Sequence, residues 1–476
     1  MKSYVGNRVR GMVSFVGIPG IVFALVLLGH TFTAVARAPD GTEPSRASAV
    51  GFSDVVVVGG GPAGIGAALA AAKTGAKTVL VERDARIGGT AVSADVLSIG
   101  LFHAWGRQVI AGPCWELVTN AVALGGGTMP AFDGEDSKPC IRTCVTVNPF
   151  VYSALADEAL EKAGVTVLFN AAACGMERLA DGWKVTLATD EGVRHVAAKE
   201  VIDATGNGTV AAFAGARRVR TEDADRQPGS YFFRLNTRRM KFNAGALDRA
   251  HAAAVASGEL LHTDVDIQMS TFVKHGGGWG GYVPLADNST ASARAETNRR
   301  GREAMLRVLR FLRRQPGLKD ATVVSAAPEV GVRETYRVVG EKTVTQEDYL
   351  AGTVEDDALC YSHWYVDIHN VVRSASRKVF PENGKVGAVP LGALLPKGVP
   401  RLLVAGRAVS SDQGANSALR VQASCMAMGQ VAGVVAALAA EKGVDPRQVD
   451  LGDAKARLRK LGAIIPLRHD GPPAGR

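Results

Sequence analysis

The segment Asp54-Val-Val-Val-Val-Gly59-Gly60-Gly61-Pro62-Ala63-Gly64 restricts the fold more than any other part of this chain. A small-residue helical run follows it, and then Thr78-Val-Leu-Val-Glu82-Arg83. The apolar run reads as a buried parallel strand. Gly59 permits a tight turn, Gly61 lets the backbone approach a pyrophosphate, and Gly64 lets the helix pack closely on the sheet, with Gly60, Pro62 and Ala63 completing the turn. The helix start offers unpaired N–H groups and a positive dipole end to phosphate. Glu82 closes the second strand 23 residues after Gly59, where a carboxylate can accept ribose hydroxyls. Strand, glycines, helix, strand and acid in this order predict a dinucleotide site.

Gly88-Gly89-Thr90 lies just past the second strand. A glycine pair there resembles the continuation found in the glutathione-reductase-like class of FAD proteins. Val201-Ile-Asp203-Ala204-Thr205-Gly206 is similar to a strand end that passes near FAD in that class. Arg401-Leu-Leu-Val-Ala-Gly406-Arg407 reads as a buried strand ending at glycine. A polar turn through Asn416 and a helical run from Ser417 to Ala440 follow it. Strand, polar turn and helix start form a second anion-receptive end. The three elements favour FAD over NAD. No second strand–GxGxxG–helix unit stands out, since His275-Gly-Gly-Gly-Trp279-Gly-Gly281 leads into Tyr282-Val-Pro284 and not into an amphipathic helix. The expected electron partners are therefore an organic substrate plus oxygen, a quinone or another protein.

With 476 residues and 47% hydrophobic content, the chain can bury one large core or two. The expected class is α/β: a Rossmann-like FAD-binding domain whose parallel sheet carries a β-meander, plus an inserted α+β substrate domain. Residues 53–220 and 385–445 are assigned to the FAD-binding domain, 221–384 to the substrate domain, 39–52 to a linker and 446–476 to a C-terminal tail. Phe150 to Ala163 reads as a helix. The meander is expected around Trp183–Leu187 and Arg194–Ala197, and a strand pair between Glu329 and Val344.

Lys2, Arg8 and Arg10 precede the apolar stretch Met12–Leu28, and Ala36-Arg-Ala38 follows. This is the outline of a signal peptide over residues 1–38, its rival being a membrane anchor. Either places the protein in the periplasm, a lumen or the medium, or tethers it to a membrane. Net charge is +9, and four of the basic residues (Lys2, Arg8, Arg10, Arg37) lie before Ala38. The arginine-rich segment 294–314 reads as a solvated helix face, so no nucleic-acid partner is expected. Six cysteines are too few for a disulfide scaffold, although Cys140 and Cys144 could pair in an oxidising compartment. Cys174, Cys360 and Cys425 read as small buried side chains. No spacing suggests a metal site.

The run Gly331-Val-Arg333-Glu334-Thr-Tyr336-Arg337 through Glu341, Ala351-Gly352 and Val366-Asp367-Ile-His369-Asn370, joined by Leu394–Arg407 and Met428–Gly433, resembles a large FAD-dependent oxidoreductase family. The likeness covers residues 53–440. It implies a two-domain flavoprotein using noncovalent FAD and leaves the substrate open. Tyr336, which with Arg333 is a catalytic candidate in that segment, stands where the family has an arginine, and Asn207 where many relatives have an acid.

A flavin exchanges a hydride with substrate, and the protein must then move a proton. Alternation along Trp364–His369 places Asp367 and His369 on one strand face, with His363 and Tyr365 in the same parity. A carboxylate beside an imidazole fixes its tautomer and raises its basicity. His103 and His275 are weaker candidates. Arg333 could bind a substrate carboxylate or a flavin charge, since guanidinium forks onto planar acceptors. The family pattern directs Arg420 towards FAD. The expected activity is hydride transfer between FAD and a small polar, carbohydrate-like organic substrate. A nicotinamide-dependent flavin monooxygenase and a flavin electron carrier are the alternatives.

Overall fold

The computed structural model describes residues 49–132, 143–278, 281–371, 376–382 and 384–467. The expected signal or anchor segment and Cys140 lie outside these residues. The main sheet is built on β1 (Ala49–Val58). Residues 49–52, assigned to a linker from sequence, are the start of this strand, paired with His195 and Val196. Helix α1 (Pro62–Lys73) crosses to β2 (Thr78–Val81), which pairs in parallel with β1 and with β3 (Thr166–Leu168). Val55 and Val57 enter one core and Val56 and Val58 another. A strand covered on both faces has no polar alternation, which is why this run is continuously apolar.

The meander comprises β4 (Ala172–Leu179), β5 (Gly182–Thr189) and β6 (Gly192–Asp203). The last is longer than expected because one strand serves both systems. Its first half pairs antiparallel with β5, and one long edge runs parallel to β1. Its last three residues pair in parallel with β7 (Leu402–Val404). The sheet order is β3-β2-β1-β6-β5-β4, with β7 also on β6. The strand ends Gly59, Ala204 and Ala405 thereby meet at one edge of the sheet.

Two further helices, α2 (Pro113–Gly125) and α3 (Pro149–Lys162), flank this half. A separate core from Tyr231 to Val332 includes Phe233, Phe272, Phe311 and Leu312. Helix α4 (Ala291–Arg313) packs there through Gly301, Val308, Phe311 and Leu312, while Arg299 pairs with Glu296 and Arg307 with Asp264. The strand pair expected between Glu329 and Val344 does not form. Val323–Ala326 pairs with Phe233–Leu235, and Tyr336–Val338 with Arg218–Arg220. Local hydrophobicity marks strands but not their long-range partners.

The run after Asp412 is two helices, α5 (Gln413–Leu419) and α6 (Gln422–Lys442). Val421 is extended at the break (φ −64°, ψ 140°). Among the described residues α6 is the one helix long and apolar enough to cross a membrane, and it is wholly buried against the rest of the protein. Residues 446–467 are not a loose tail, because α7 (Leu451–Lys460) packs Leu458 and Ala454 into the core.

Candidate active site

A single cavity of about 1170 Å³ reaches from Gly59, Gly61 and Glu82 to Asp367, His369 and Arg333. That exceeds the ~300–1,000 Å³ of a usual small-ligand pocket, leaving room for an extended dinucleotide and a second molecule.

At the glycine end, Gly59 has φ +105°, and an added Cβ would sit 2.6 Å from the Ala204 carbonyl oxygen. A Cβ on Gly64 would fall 1.7 Å from the Gly59 oxygen, so this glycine lets α1 lie on β1. Gly60 donates its N–H to Glu82 Oε2 at 2.5 Å, and Glu82 Oε1 accepts from Asp84 N at 2.8 Å. Burial pushes the Glu82 carboxyl upward against those two hydrogen bonds. Gly88 has φ +119° and would place a Cβ 2.5 Å from Val92. Gly60, Gly64 and Gly88 shape the loop and are not among the residues that line the cavity. Gly59, Gly61, Pro62, Ala63, Glu82, Arg83, Gly89 and Thr90 do line it. Gly61 is the N-cap of α1 without a side-chain cap, and a Cβ there meets nothing nearer than Gly89 Cα at 3.8 Å. This is open space beside the unsatisfied N–H groups of a helix start.

Ala204, Thr205 and Gly206 form the next section of wall. Their turn is fixed by Asp203, which sequence reasoning did not single out. Asp203 Oδ1 accepts from Thr205 N and Oγ1, and its Oδ2 from Ala211 N. Arg407 crosses here, donating to Gly206 O at 2.7 Å, Val332 O at 2.6 Å and Asn207 Oδ1 at 2.7 Å. No carboxylate pairs with it among the described residues, and burial lowers it to about 10. Asn207 thus serves as a neutral partner where an acid is usual. Gly406 lines the cavity. Asn416 does not; its Nδ2 donates to Arg407 O at 2.9 Å and Ser411 Oγ at 3.1 Å, a bracing role behind the wall.

The break between α5 and α6 presents Arg420, Val421 and Gln422 to the cavity beside Asp367 and His369. His369 Nε2 lies 3.0 Å from Asp367 Oδ2, and His369 Nδ1 lies 2.8 Å from the Tyr282 hydroxyl. Burial lowers the imidazole, and Arg333 and Arg420 add to this against the raising effect of Asp367. A neutral ring with these neighbours carries its proton on Nε2, donated to Asp367, and accepts the Tyr282 O–H at Nδ1. Burial raises the Asp367 carboxyl, but His369, Arg420 and Arg333 outweigh it, holding the group below its usual range. Tyr282 is pushed up to about 12, chiefly by burial, and the Asp266 carboxylate offers its hydroxyl a second acceptor. Gln227 Oε1 accepts the His369 N–H at 3.1 Å, and Ser417 Oγ that of Asp367 at 2.9 Å. Tyr282 and Gln227 were missed; the one available signal was that Tyr282 directly follows the glycine loop.

Two expected catalytic residues lie elsewhere. His363 does not line the cavity; burial drives it to about 3, and its ring packs 6.0 Å from Trp105. Tyr336 lies outside too, its ring 4.1 Å from the Arg218 guanidinium and 5.3 Å from that of Arg220. An arginine at 336 would add a third cation to that pair. His103 stacks on Phe132 at 3.6 Å, away from the site. Cys174 is exposed, contrary to expectation.

The family model described as "FAD dependent oxidoreductase" matches residues 54–459. The chain belongs to this family. A digeranylgeranylglycerophospholipid reductase of Methanocaldococcus jannaschii is 32% identical over 169 residues, covering 34% of this chain and 41% of that protein. The chain thus matches less than half of that relative's length. Among solved structures, a geranylgeranyl bacteriochlorophyll reductase-like protein of Thermoplasma acidophilum aligns over 86% of this chain and 82% of its own, at 16% identity and TM-score 0.40. An anhydrotetracycline hydroxylase of Streptomyces rimosus aligns over 41% and 39%, at 18% identity and TM-score 0.30.

The residues present fit FAD. Besides the Gly61 cradle, several cavity-lining side chains hold buried polar atoms without protein partners: Ser230 Oγ, Arg420 Nε and Gln422 Oε1. Glu82, Gly61, Ala63, Thr205 and Gly406 would hold the cofactor, with Arg407 supplying positive charge for its diphosphate.

Proposed function

We propose that the protein transfers a hydride between bound FAD and a small polar organic substrate, with His369 handling the accompanying proton. FAD supplies the two-electron chemistry. The observation that carries this reading is the hydrogen-bonded chain Asp367–His369–Tyr282 in the cavity that also contains the dinucleotide fingerprint. In the oxidative direction the substrate's C–H electron pair leaves as hydride and its O–H or N–H proton passes to His369 Nδ1. A neutral imidazole is competent to accept it, and Asp367 stabilises the resulting cation through Nε2–H. Tyr282 must then give up Nδ1, and its second partner Asp266 keeps the hydroxyl satisfied.

The test is the absorption spectrum of the FAD-loaded protein under anaerobic titration with polyols, sugars, hydroxy acids, amines, NADH and NADPH. Bleaching by an organic compound is expected. In His369→Asn, flavin content should be unchanged and bleaching slowed about 10²-fold or more, the range for a positioned acid–base group. An unchanged rate would overturn the assignment to His369. Bleaching by NADPH alone would replace the reading with a monooxygenase.

A further inference from the structure

The cations around the cavity differ in their partners, and Lys378 sits over the Tyr365 ring, 5.6 Å from its centre. Those at the rim have carboxylate partners: Arg234 with Asp95 at 3.2 Å and Arg294 with Glu329 at 3.2 Å. At the His369 end, Arg333 and Arg420 have none within ion-pair distance among the described residues. Arg333 lines the cavity and donates Nη1 to Pro228 O at 2.7 Å. Its guanidinium lies 5.3 Å from the Tyr282 ring centre. Arg420 donates to Asp367 O at 3.2 Å and to Gln227 Oε1 at 3.4 Å.

The surrounding charges do not balance this pair. Asp367 is the one carboxylate lining that end of the cavity, and His369 is neutral. Glu334 lies behind the wall, committed to Arg337 at 3.6 Å and to the Gln227 N–H. Asp266 is exposed beside Tyr282 and does not line the cavity, although its charge reaches Arg333. Two half-buried guanidiniums face a single cavity carboxylate, Asp367, so this end of the cavity carries positive charge in excess of its own carboxylate, available to an entering anion. Arg407, the third unpaired arginine, has its donors on the Gly206 turn at the dinucleotide end. Trp364 stacks on Tyr365 at 4.7 Å and Tyr365 meets Phe380 at 5.0 Å, and all three line the same cavity.

We propose that the substrate is an organic monocarboxylate, its carboxylate held by Arg333 with Arg420 in support and its apolar body against Trp364 and Tyr365. Resting on the function proposed above, this makes the reacting compound a hydroxy or amino acid. Its C–H hydride goes to FAD and its O–H or N–H proton to His369, leaving the keto or imino acid. The planar guanidinium fork suits a planar two-oxygen acceptor.

The test is calorimetric titration of the FAD-loaded protein with acetate, isovalerate and benzoate, each against its neutral amide, with the flavin spectrum as second readout. At least one acid should bind at about millimolar affinity and its amide about tenfold or more weaker, as expected when a charged hydrogen-bonding partner is lost. Arg333→Met should abolish that preference with FAD retained, and Arg333→Lys should keep part of it. If Arg333→Met fails to fold, Asp367→Asn decides: removing the competing negative charge should tighten acid binding several-fold. Equal affinity for acid and amide, no binding of any acid, or no tightening in Asp367→Asn would overturn the proposal. A neutral polyol that bleaches the flavin while no acid binds would sink the carboxylate and leave hydride transfer standing. A protein without a flavin band would instead indict the FAD reading, while calorimetry would still report on the acids.

Discussion

Gly59 and Gly61 stand two residues apart in one turn, yet a side chain would do opposite things at the two positions. At Gly59 it would strike the Ala204 carbonyl in a backbone with φ +105°, and the fold itself would suffer. At Gly61 it would enter open cavity space. Gly61→Val is therefore expected to change the stability of the cofactor-free protein by no more than a surface substitution, about ±0.5 kcal/mol. It should nevertheless lose FAD on gel filtration, read as the flavin-to-protein absorbance ratio. A fully loaded yellow variant would refute the cradle. This end of the site was legible because Gly59, Gly61 and Glu82 sit within one βαβ unit, where spacing along the chain determines spacing in space. Tyr282 and Gln227 were not legible, because their bonds to His369 span 87 and 142 residues. Nothing local marks either residue as a partner of the imidazole. His363 misled for a related reason. Strand parity was extended through a stretch in which residues 363–365 are not strand, so alternation no longer fixes direction.

Helices α1 and α6 pack through glycines to almost backbone contact. A Cβ on Gly429 would lie 2.1 Å from Ala63 O, one on Gly433 2.2 Å from Ala67 O, and one on Gly66 2.8 Å from Met426 O. This contact seats the N-terminus of α1 beneath the cavity, so the small residues of both helices serve the site without touching a ligand. Gly433→Ala is expected to destabilise by about 1–3 kcal/mol, the usual cost of overpacking, read as a lower Tm. Gly245→Ala, in helix Ala244–Ala256 with its nearest atom 3.5 Å away, should show no loss, since alanine is the better helix former. Equal Tm shifts in the two variants would refute the close packing. The existence of α6 was plain from its composition, but its start was not. No proline or glycine stands at Arg420-Val421 to announce a break. The chain turns there where Asp367 and Gln227 hold the preceding turn from outside the helix, through Ser417 Oγ and the Arg420 guanidinium.

At the scale of the whole molecule, the FAD-binding half is assembled from residues before and after the segment that forms the second core, and β6 joins its two sheet systems. Closing the chain in this way buries imidazoles with no charged partner, and that gives the fold an acid sensitivity that can be assigned to one residue. His363 is fully buried with Nδ1 unpartnered, and burial lowers it to about 3. Its unfolded value is about 6.5. Below pH 6.5 the unfolded chain therefore binds a proton that the folded chain refuses, so the stability this residue confers is full above pH 6.5. It is lost as pH falls towards 3, at about 1.4 kcal/mol per pH unit. His103, lowered to about 4 by burial, acts in the same direction. Glu200 acts in the opposite one. Burial raises its folded value to about 8 despite the bond from Arg401, so it favours the folded chain as pH falls below 8. The wild-type curve alone therefore mixes both signs, and the difference from His363→Leu isolates one. Denaturant unfolding of the two proteins should give a constant stability difference above pH 6.5. Between pH 6.5 and 4 the variant should gain on the wild type by about 1.4 kcal/mol per pH unit. Parallel curves across that window would mean that His363 is protonated in the folded protein, and the burial argument for it would fall.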